Sequence, residues 1–336
     1  MTDAVIIGAG PTGLACGIEL QKRGCSATLI EKGCVVNSLF EYPTNMTFFT
    51  TPELLEIGDI PMTSMFEKPN RAEALKYYRR VADHYKLDIR QYEKVTHITG
   101  TDGDFTVHAE DRDGNPKQYP GRKVIVATGY YDIPNKLNVP GGDLPKVIHY
   151  YKEPHPYFGL DCAVIGAKNS AAIAALELFW TGARVTLIHR GSKISDKVKY
   201  WIKPNIENRI KANEVKAYFH TEVKEVKPRS LVLQTPEGEK EIPNDYVFAM
   251  TGYRPDFEFM AAHGIHLDPT TQKPYTDPNS LESATKGIYL AGVVVAGVHT
   301  NEIFIENGRF HGGLIAAHIA GTRSAQSIPV PTRNLE

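Results

Sequence analysis

The sequence repeats itself. Residues 3–33, DAVIIGAGPTGLACGIELQKRGCSATLIEKG, align without a gap on residues 161–191, DCAVIGAKNSAAIAALELFWTGARVTLIHRG, so that Asp3 falls on Asp161, Gly8 on Gly166, Gly24 on Gly182, Thr28 on Thr186 and Ile30 on Ile188. Each copy reads as an apolar strand, a glycine-bearing turn, a helix and a second apolar strand, which is a βαβ unit. A second pair of strands, KVIVATGYY (123–131) and YVFAMTGYRP (246–255), ends in Thr-Gly-Tyr both times. Two such units confine the chain to an α/β class with two Rossmann-like, doubly wound domains. At 336 residues and 42% hydrophobic content there is chain enough for two cores.

The first turn, Gly8-Ala9-Gly10-Pro11-Thr12-Gly13, has glycine where a dinucleotide cradle needs it. Gly8 permits the tight bend, Gly10 lets backbone N–H groups approach a pyrophosphate, and Gly13 lets the helix close on the strand, its N-terminus favouring the anion. Glu31, at the end of the second strand, is placed to accept from a ribose diol. The second turn, Gly166-Ala167-Lys168-Asn169-Ser170, carries Lys168 for the middle glycine and Ala171 for the third. His189 stands where Glu31 stands in the first copy, and Arg190 follows. A carboxylate there would repel a 2′-phosphate, whereas an arginine pairs with one, so the second unit is expected to take NADPH over NADH. Thr251 and Gly252 close that half.

Net charge is −1, which offers no general attraction to nucleic acid or to a membrane surface. The longest apolar runs, such as 287–298, are shorter than the ~18 residues of a membrane span, and Met1 to Asp3 lead straight into a strand with no basic leader. The four cysteines, Cys16, Cys25, Cys34 and Cys162, form neither a CxxC nor a regular framework, as expected of reduced thiols in a cytoplasmic protein. A small-molecule partner and a homo-oligomer are expected. Residues 197–216 read as a basic, amphipathic, solvated helix.

The tandem units, the two Thr-Gly-Tyr strands and GIYLAGVVVAGVHTNEIFIENGRFHGG (287–313) resemble the low-molecular-weight thioredoxin reductases. EYPTNMTFFTTPELLEIGDIPM (41–62), ATGYYDIPNKLNVPGGDLPKVIHYYKEPHPYF (127–158) and NEIFIENGRFHGG (301–313) resemble the bacillithiol disulfide reductase family, over nearly the whole chain. The resemblance implies FAD in the first unit, NADPH in the second, hydride passing from nicotinamide to flavin N5, and a low-molecular-weight disulfide as acceptor. It places Gly8 to Gly13, Glu31 and Lys32 on the FAD pyrophosphate and ribose, the Val95 backbone on the adenine, and Gly129 near the dinucleotide. Thioredoxin reductases have Gly-Asp where this chain has Gly292-Val293, so the ribityl chain needs another partner, water or Asn301-Glu302-Ile303. Helix 304–319 is expected to aim its N-terminus at the flavin N1/O2 edge.

The bacillithiol family commonly has a cysteine where Thr12 stands here, and a threonine cannot form a mixed disulfide. Cys16 and Cys162 read as packed core residues, Cys34 as remote from the reacting ring, and direct transfer from flavin to acceptor is the expected route. His149, with Tyr150, Tyr151 and Tyr42, could line the flavin pocket; His149 and His311 are the candidate proton donors. The Pro/Gly-rich stretch 132–158 and the turn 251–256 read as two hinges, with an FAD domain at 1–145 and 256–336 and an inserted NADPH domain at 146–255. Such hinges would let the domains rotate. Other acceptors (a quinone, a ferredoxin), a flavin monooxygenase and a non-enzymatic nucleotide sensor stay open, although 139–149 lacks the FxGxxxH of monooxygenases.

Overall fold

The run TDAVII forms the first strand, β1 (Thr2–Ile7), because β-branched and apolar residues follow one another and four of them are buried on both faces of a sheet. Helix α1 (Pro11–Lys22) starts on a proline at its first position and leads to β2 (Ala27–Glu31), which pairs in parallel with β1 from Ala4↔Ala27 to Ile7↔Ile30. The short α2 (Asn37–Glu41) and the longer α3 (Arg71–His84) follow. In α3, Asn70 and Glu73 cap each other's backbone N–H groups. Then come β3 (Asp88–Gln91), β4 (Glu93–Thr101), β5 (Asp104–Asp111) and β6 (Pro116–Val126). The strand order is β3-β2-β1-β6-β5-β4, and Ile288–Leu290 also pairs with β6. β1, β2 and β3 run parallel, whereas β4, β5 and β6 form an antiparallel meander. The structure, a computed structural model, describes residues 1–321; residues 322–336, the end of the expected FAD domain, lie outside the described residues.

These elements belong to the first of two units, which comprises Met1–Glu41, Met46–Ile133 and the described residues from Tyr253 on. Its core joins Val5, Ile7 and Ile30 to Phe105, Val124 and Val126, with Met260 and Leu290 packed on the same side. The second unit comprises Tyr42–Asn45 and Pro134–Gly252. Here the strand Asp161–Ile165, the helix Asn169–Trp180 and the strand Arg184–Ile188 repeat the opening βαβ. They sit in a five-stranded parallel sheet ordered Lys216–Tyr218, Arg184–Ile188, Asp161–Ile165, Tyr246–Ala249, Val147–Ile148. An antiparallel three-stranded sheet, Glu222–Val226, Ser230–Thr235 and Gly238–Pro243, packs against it.

The second unit begins at Pro134, not at 146, for a packing reason. Leu137, Val139 and Leu144 lie against its core of Val226, Leu231, Leu233 and Val247, so segment 134–145 buries its apolar side chains there. It ends at Gly252, before the Pro255 at which the sequence ends it. The chain also makes an excursion that two hinges do not provide: Tyr42–Asn45 belongs to the second unit, where the Thr44 N–H donates to the Lys152 carbonyl at 2.9 Å. Two expected helices are shorter than read. Segment 304–319 divides into Ile305–Gly308 and His311–Ile319, and segment 197–216 is helical only at Lys203–Lys211.

Candidate functional site

In the first turn each glycine has a different reason to be there. Gly8 has φ +107°, and a Cβ on it would stand 2.6 Å from the Ala127 carbonyl oxygen. A Cβ on Gly13 would stand 2.0 Å from the Gly8 carbonyl oxygen, so only glycine lets α1 close on β1. A Cβ on Gly10 would meet nothing within 4 Å, which is the open cradle a pyrophosphate needs. The N–H groups of Thr12 and Gly13, in the first turn of α1, have no acceptor within the helix, an arrangement that fits an anion. Glu31 is 6% exposed. Its carboxylate accepts from the Ala9 N–H at 2.8 Å and the Gly33 N–H at 2.9 Å. Burial pushes its pKa up while those two backbone donors pull it down. Lys32 beside it is paired with Asp132 at 2.8 Å. Val36, fully buried, takes φ +52°, an uncommon conformation for a β-branched residue, and donates its N–H to the Ala9 carbonyl. These features fit the adenosine and pyrophosphate of FAD.

Thr12 packs against two further glycines. Cβ atoms on Gly292 and Gly308 would come within 3.1 and 3.2 Å of its Oγ1. Gly292 donates its N–H to His311 Nδ1 at 3.0 Å. His311 is 1% exposed, its Nε2 has no partner among the described residues, and burial drops its pKa to about 4. A neutral imidazole that accepts a backbone N–H and is sealed from solvent suits a structural anchor of the Gly292–Val293 turn better than a proton donor. Val293 is half-buried in the 3-10 turn Gly292–Ala296. Asn301 is exposed, Glu302 pairs with Lys273 at 2.7 Å, and Ile303 lies beside Gly308. Val95 sits at the irregularity in β4 and packs on the core, and Gly129 turns at φ +74° after β6.

The residues that hold segment 53–62 in place carry no sequence signal beyond three tyrosines in and just after α3. The Tyr77 hydroxyl accepts from the Ile57 N–H and donates to the Ile60 carbonyl, Tyr78 donates to Leu55 and Tyr85 to Gly58. Arg309 donates to the carbonyls of Glu53 and Glu56 at 2.8 and 2.7 Å. Asn307 accepts from the Phe304 N–H and donates to the Glu302 carbonyl, which shapes the 302–304 turn.

The second turn keeps the frame and changes the lining. Gly166 has φ +127° and a Cβ there would stand 2.7 Å from the Met250 carbonyl. Its N–H donates to Ile188, as that of Gly8 does to Ile30. Lys168 caps the following helix in extended conformation with its side chain exposed, Asn169 and Ser170 open the helix, and Ala167 is buried. His189 is half-buried with its pKa lowered by burial, and Arg190 is exposed. Thr251 donates to the Asn135 carbonyl at 2.6 Å and Gly252 accepts from the Asn135 N–H, so Asn135 fixes this corner, a role the sequence does not betray. His149 lies in this unit, its pKa lowered by burial. Tyr151 donates to Glu177 at 2.6 Å.

Two of the four thiols, Cys16 and Cys162, are buried, and Cys25 and Cys34 are half-buried. Burial pushes the pKa values of Cys16 and Cys162 up to about 12 and raises those of Cys25 and Cys34 as well. Among the described residues no helix is long and apolar enough to cross a membrane, and no metal-binding cluster of His, Cys, Asp and Glu is present.

Comparison with known proteins agrees with this geometry. The family model for pyridine nucleotide-disulphide oxidoreductases matches residues 5–292. Bacilliredoxin reductase Bdr of Bacillus subtilis (strain 168) is 46% identical over 94% of this chain and 97% of its own. The solved bacillithiol disulfide reductase from Bacillus cereus superposes with a TM-score of 0.93 at 44% identity, covering 95% of this chain and 99% of that one. Thioredoxin reductase of T. acidophilum, at 21% identity and a TM-score of 0.73 over 95% and 98% of the two chains, shares the fold. The chain therefore belongs to the pyridine nucleotide-disulphide oxidoreductases, in the bacillithiol disulfide reductase family, and is a flavin-dependent oxidoreductase with FAD and a pyridine nucleotide as its cofactors.

Proposed function

We propose that this enzyme uses NADPH to reduce a low-molecular-weight disulfide of the bacillithiol type, with no protein thiol in the relay. The observation that carries the reading is the combination of Thr12 at the Gly292–Gly308 contact with four cysteines whose thiols burial holds protonated. The balance is simple: one disulfide, one NADPH and one proton give two thiols and NADP⁺. FAD, when bound, relays the two electrons from nicotinamide to acceptor.

The first unit holds FAD, through the Gly8 to Gly13 turn, Glu31 and the Gly292–Val293 turn that His311 anchors. The second unit holds NADPH, through the backbone of the Gly166 to Ser170 turn and the Arg190 side chain, with the Thr251–Gly252 corner closing the site. His149 is the proton donor we retain. The enzyme is cytosolic, in keeping with its free thiols, and homo-oligomeric, with exposed Phe158 and Trp180 as apolar surface available to a second copy.

The test is anaerobic reduction by NADPH, followed by oxidation with disulfides, quinones, a ferredoxin and O₂. The protein with Cys16→Ala, Cys25→Ser, Cys34→Ser and Cys162→Ala is expected to keep flavin bleaching and disulfide turnover, at a packing cost of about 1–3 kcal/mol for each buried site. An FAD-loaded variant that bleaches with NADPH yet fails to pass electrons on overturns the thiol-free route. A wild-type enzyme that ignores disulfides and reduces quinone or ferredoxin moves the acceptor to the second reading.

A further inference from the structure

Between the strand Arg184–Ile188 and the helix Lys203–Lys211 lies the loop 191–202, GSKISDKVKYWI. It is folded down on the second unit by Ile194, Val198 and Ile202, all three buried, at a spacing of four. Its backbone is stitched to the nucleotide turn. The Ser195 N–H donates to the Ala167 carbonyl at 3.0 Å, and the Lys199 N–H to Asn169 Oδ1 at 2.9 Å. Asn169 Nδ2 donates in return to the Lys197 carbonyl at 3.4 Å. One side chain at the start of the helix thus takes and gives a hydrogen bond on neighbouring turns of the loop.

The charges of the loop are sorted. Asp196, its sole acid, is paired with Lys193 and Lys203 at 2.7 Å each. Lys168, Arg190 and Lys197 have no carboxylate partner among the described residues. These three cations lie on the nucleotide turn, at the end of the second strand and on the latched loop. Lys168, which is exposed, also occupies the repeat position of Gly10.

We propose that Asn169 is a positioning residue that latches this loop onto the nucleotide turn, so that Lys197 joins Lys168 and Arg190 around the phosphates of a pyridine nucleotide, the 2′-phosphate included. This rests on the assignment of NADPH to the second unit. Loss of the latch lets the loop swing and disperses the positive charge, which weakens a ligand carrying the 2′-phosphate more than one without it.

The experiment titrates 2′,5′-ADP and 5′-AMP by calorimetry into the FAD-loaded enzyme and into Asn169→Ala, and follows trypsin cleavage after Lys193, Lys197 and Lys199. The variant is expected to bind 2′,5′-ADP about tenfold more weakly, 5′-AMP within about twofold, and to be cleaved faster at the loop. The KM for NADPH rises while kcat holds. Val198→Ala, which loosens the same loop from its apolar side, is expected to reproduce the 2′-selective loss and guards against a variant that merely fails to fold. Equal weakening of both ligands in both variants, or unchanged loop cleavage, overturns the latch. A wild-type enzyme that binds 5′-AMP as tightly as 2′,5′-ADP overturns the NADPH assignment itself, whereas a selective wild type whose selectivity Asn169→Ala leaves undiminished overturns only the latch.

Discussion

The two nucleotide turns share a backbone and differ in what fills it. In both, a glycine with positive φ donates its N–H to the second strand of the βαβ unit, at Gly8 and at Gly166. In the first turn the helix must approach so closely that Gly13 tolerates no Cβ; in the second, Ala171 occupies the same place with its Cβ 3.3 Å from the position a Cβ on Gly166 would take. The first ends its second strand on a buried carboxylate, Glu31, and the second on His189 and Arg190. Even the aspartate that opens each copy has a new partner. Asp3 accepts from the Ser26 N–H and hydroxyl, while Asp161 takes the Arg184 guanidinium with both oxygens. A repeated frame preserves main-chain geometry; ligand choice resides in a few side chains that the frame leaves free to change.

The largest expected effect tests whether the frames are interchangeable. Gly13→Val puts a side chain into the Gly8 carbonyl, which cannot retreat because the Gly8 N–H is bonded to Ile30; at least ~3 kcal/mol of stability and the bound FAD should be lost. Ala171→Gly should cost only about 1 kcal/mol, through helix propensity, with NADPH oxidation retained. Purified FAD absorbance and denaturant melts read both, and a Gly13→Val enzyme that stays yellow and stable breaks the comparison.

Next comes the burial of His311 in the first unit, deeper than that of His149 and His189 in the second. The folded chain holds His311 unprotonated down to about pH 4, whereas the unfolded chain protonates it near pH 6.5. The unfolded state therefore binds the extra proton in that window. The contribution of His311 is full above about pH 6.5 and shrinks by roughly 3 kcal/mol as pH falls to about 4. His149 and His189 shift in the same direction and are more exposed. His311→Gln should flatten the stability–pH curve between pH 4 and 6.5; a variant with the wild-type slope removes His311 as its source.

A smaller effect sharpens the contrast between Glu31 and Arg190. Arg190→Ala should raise the KM for NADPH by about 10- to 100-fold, the ~1.5–3 kcal/mol of a charge-assisted contact, and leave NADH within about twofold. If both nucleotides suffer alike, Arg190 supports the strand end and does not choose the ligand.

The glycine turns were legible because each depends on neighbours within one βαβ unit, where spacing along the chain is spacing in the fold. The antiparallel half of the first sheet was not read, since β4 and β5 alternate in exposure and look like an ordinary hairpin. Nor was the setting of His311. Its Nδ1 is satisfied by Gly292 and its burial comes from the helix His311–Ile319 packing on α1, where a Cβ on Gly312 would stand 2.8 Å from the Ala15 carbonyl.

By itself the sequence determined the doubled βαβ plan, the two glycine-bearing turns and the absence of a CxxC, because these are properties of local pattern and composition; that Thr12 stands in place of a thiol came only from the family resemblance. Only the tertiary structure decided where the units divide, that Tyr42–Asn45 sits with the second, that three tyrosines and Arg309 hold segment 53–62, and that Asn169 grips its loop. The reason is that each of these rests on a hydrogen bond or a packed side chain between residues far apart in the chain. Arg309 reaches back to Glu53 across more than two hundred residues, and no periodicity records whether such a partner is within 3 Å.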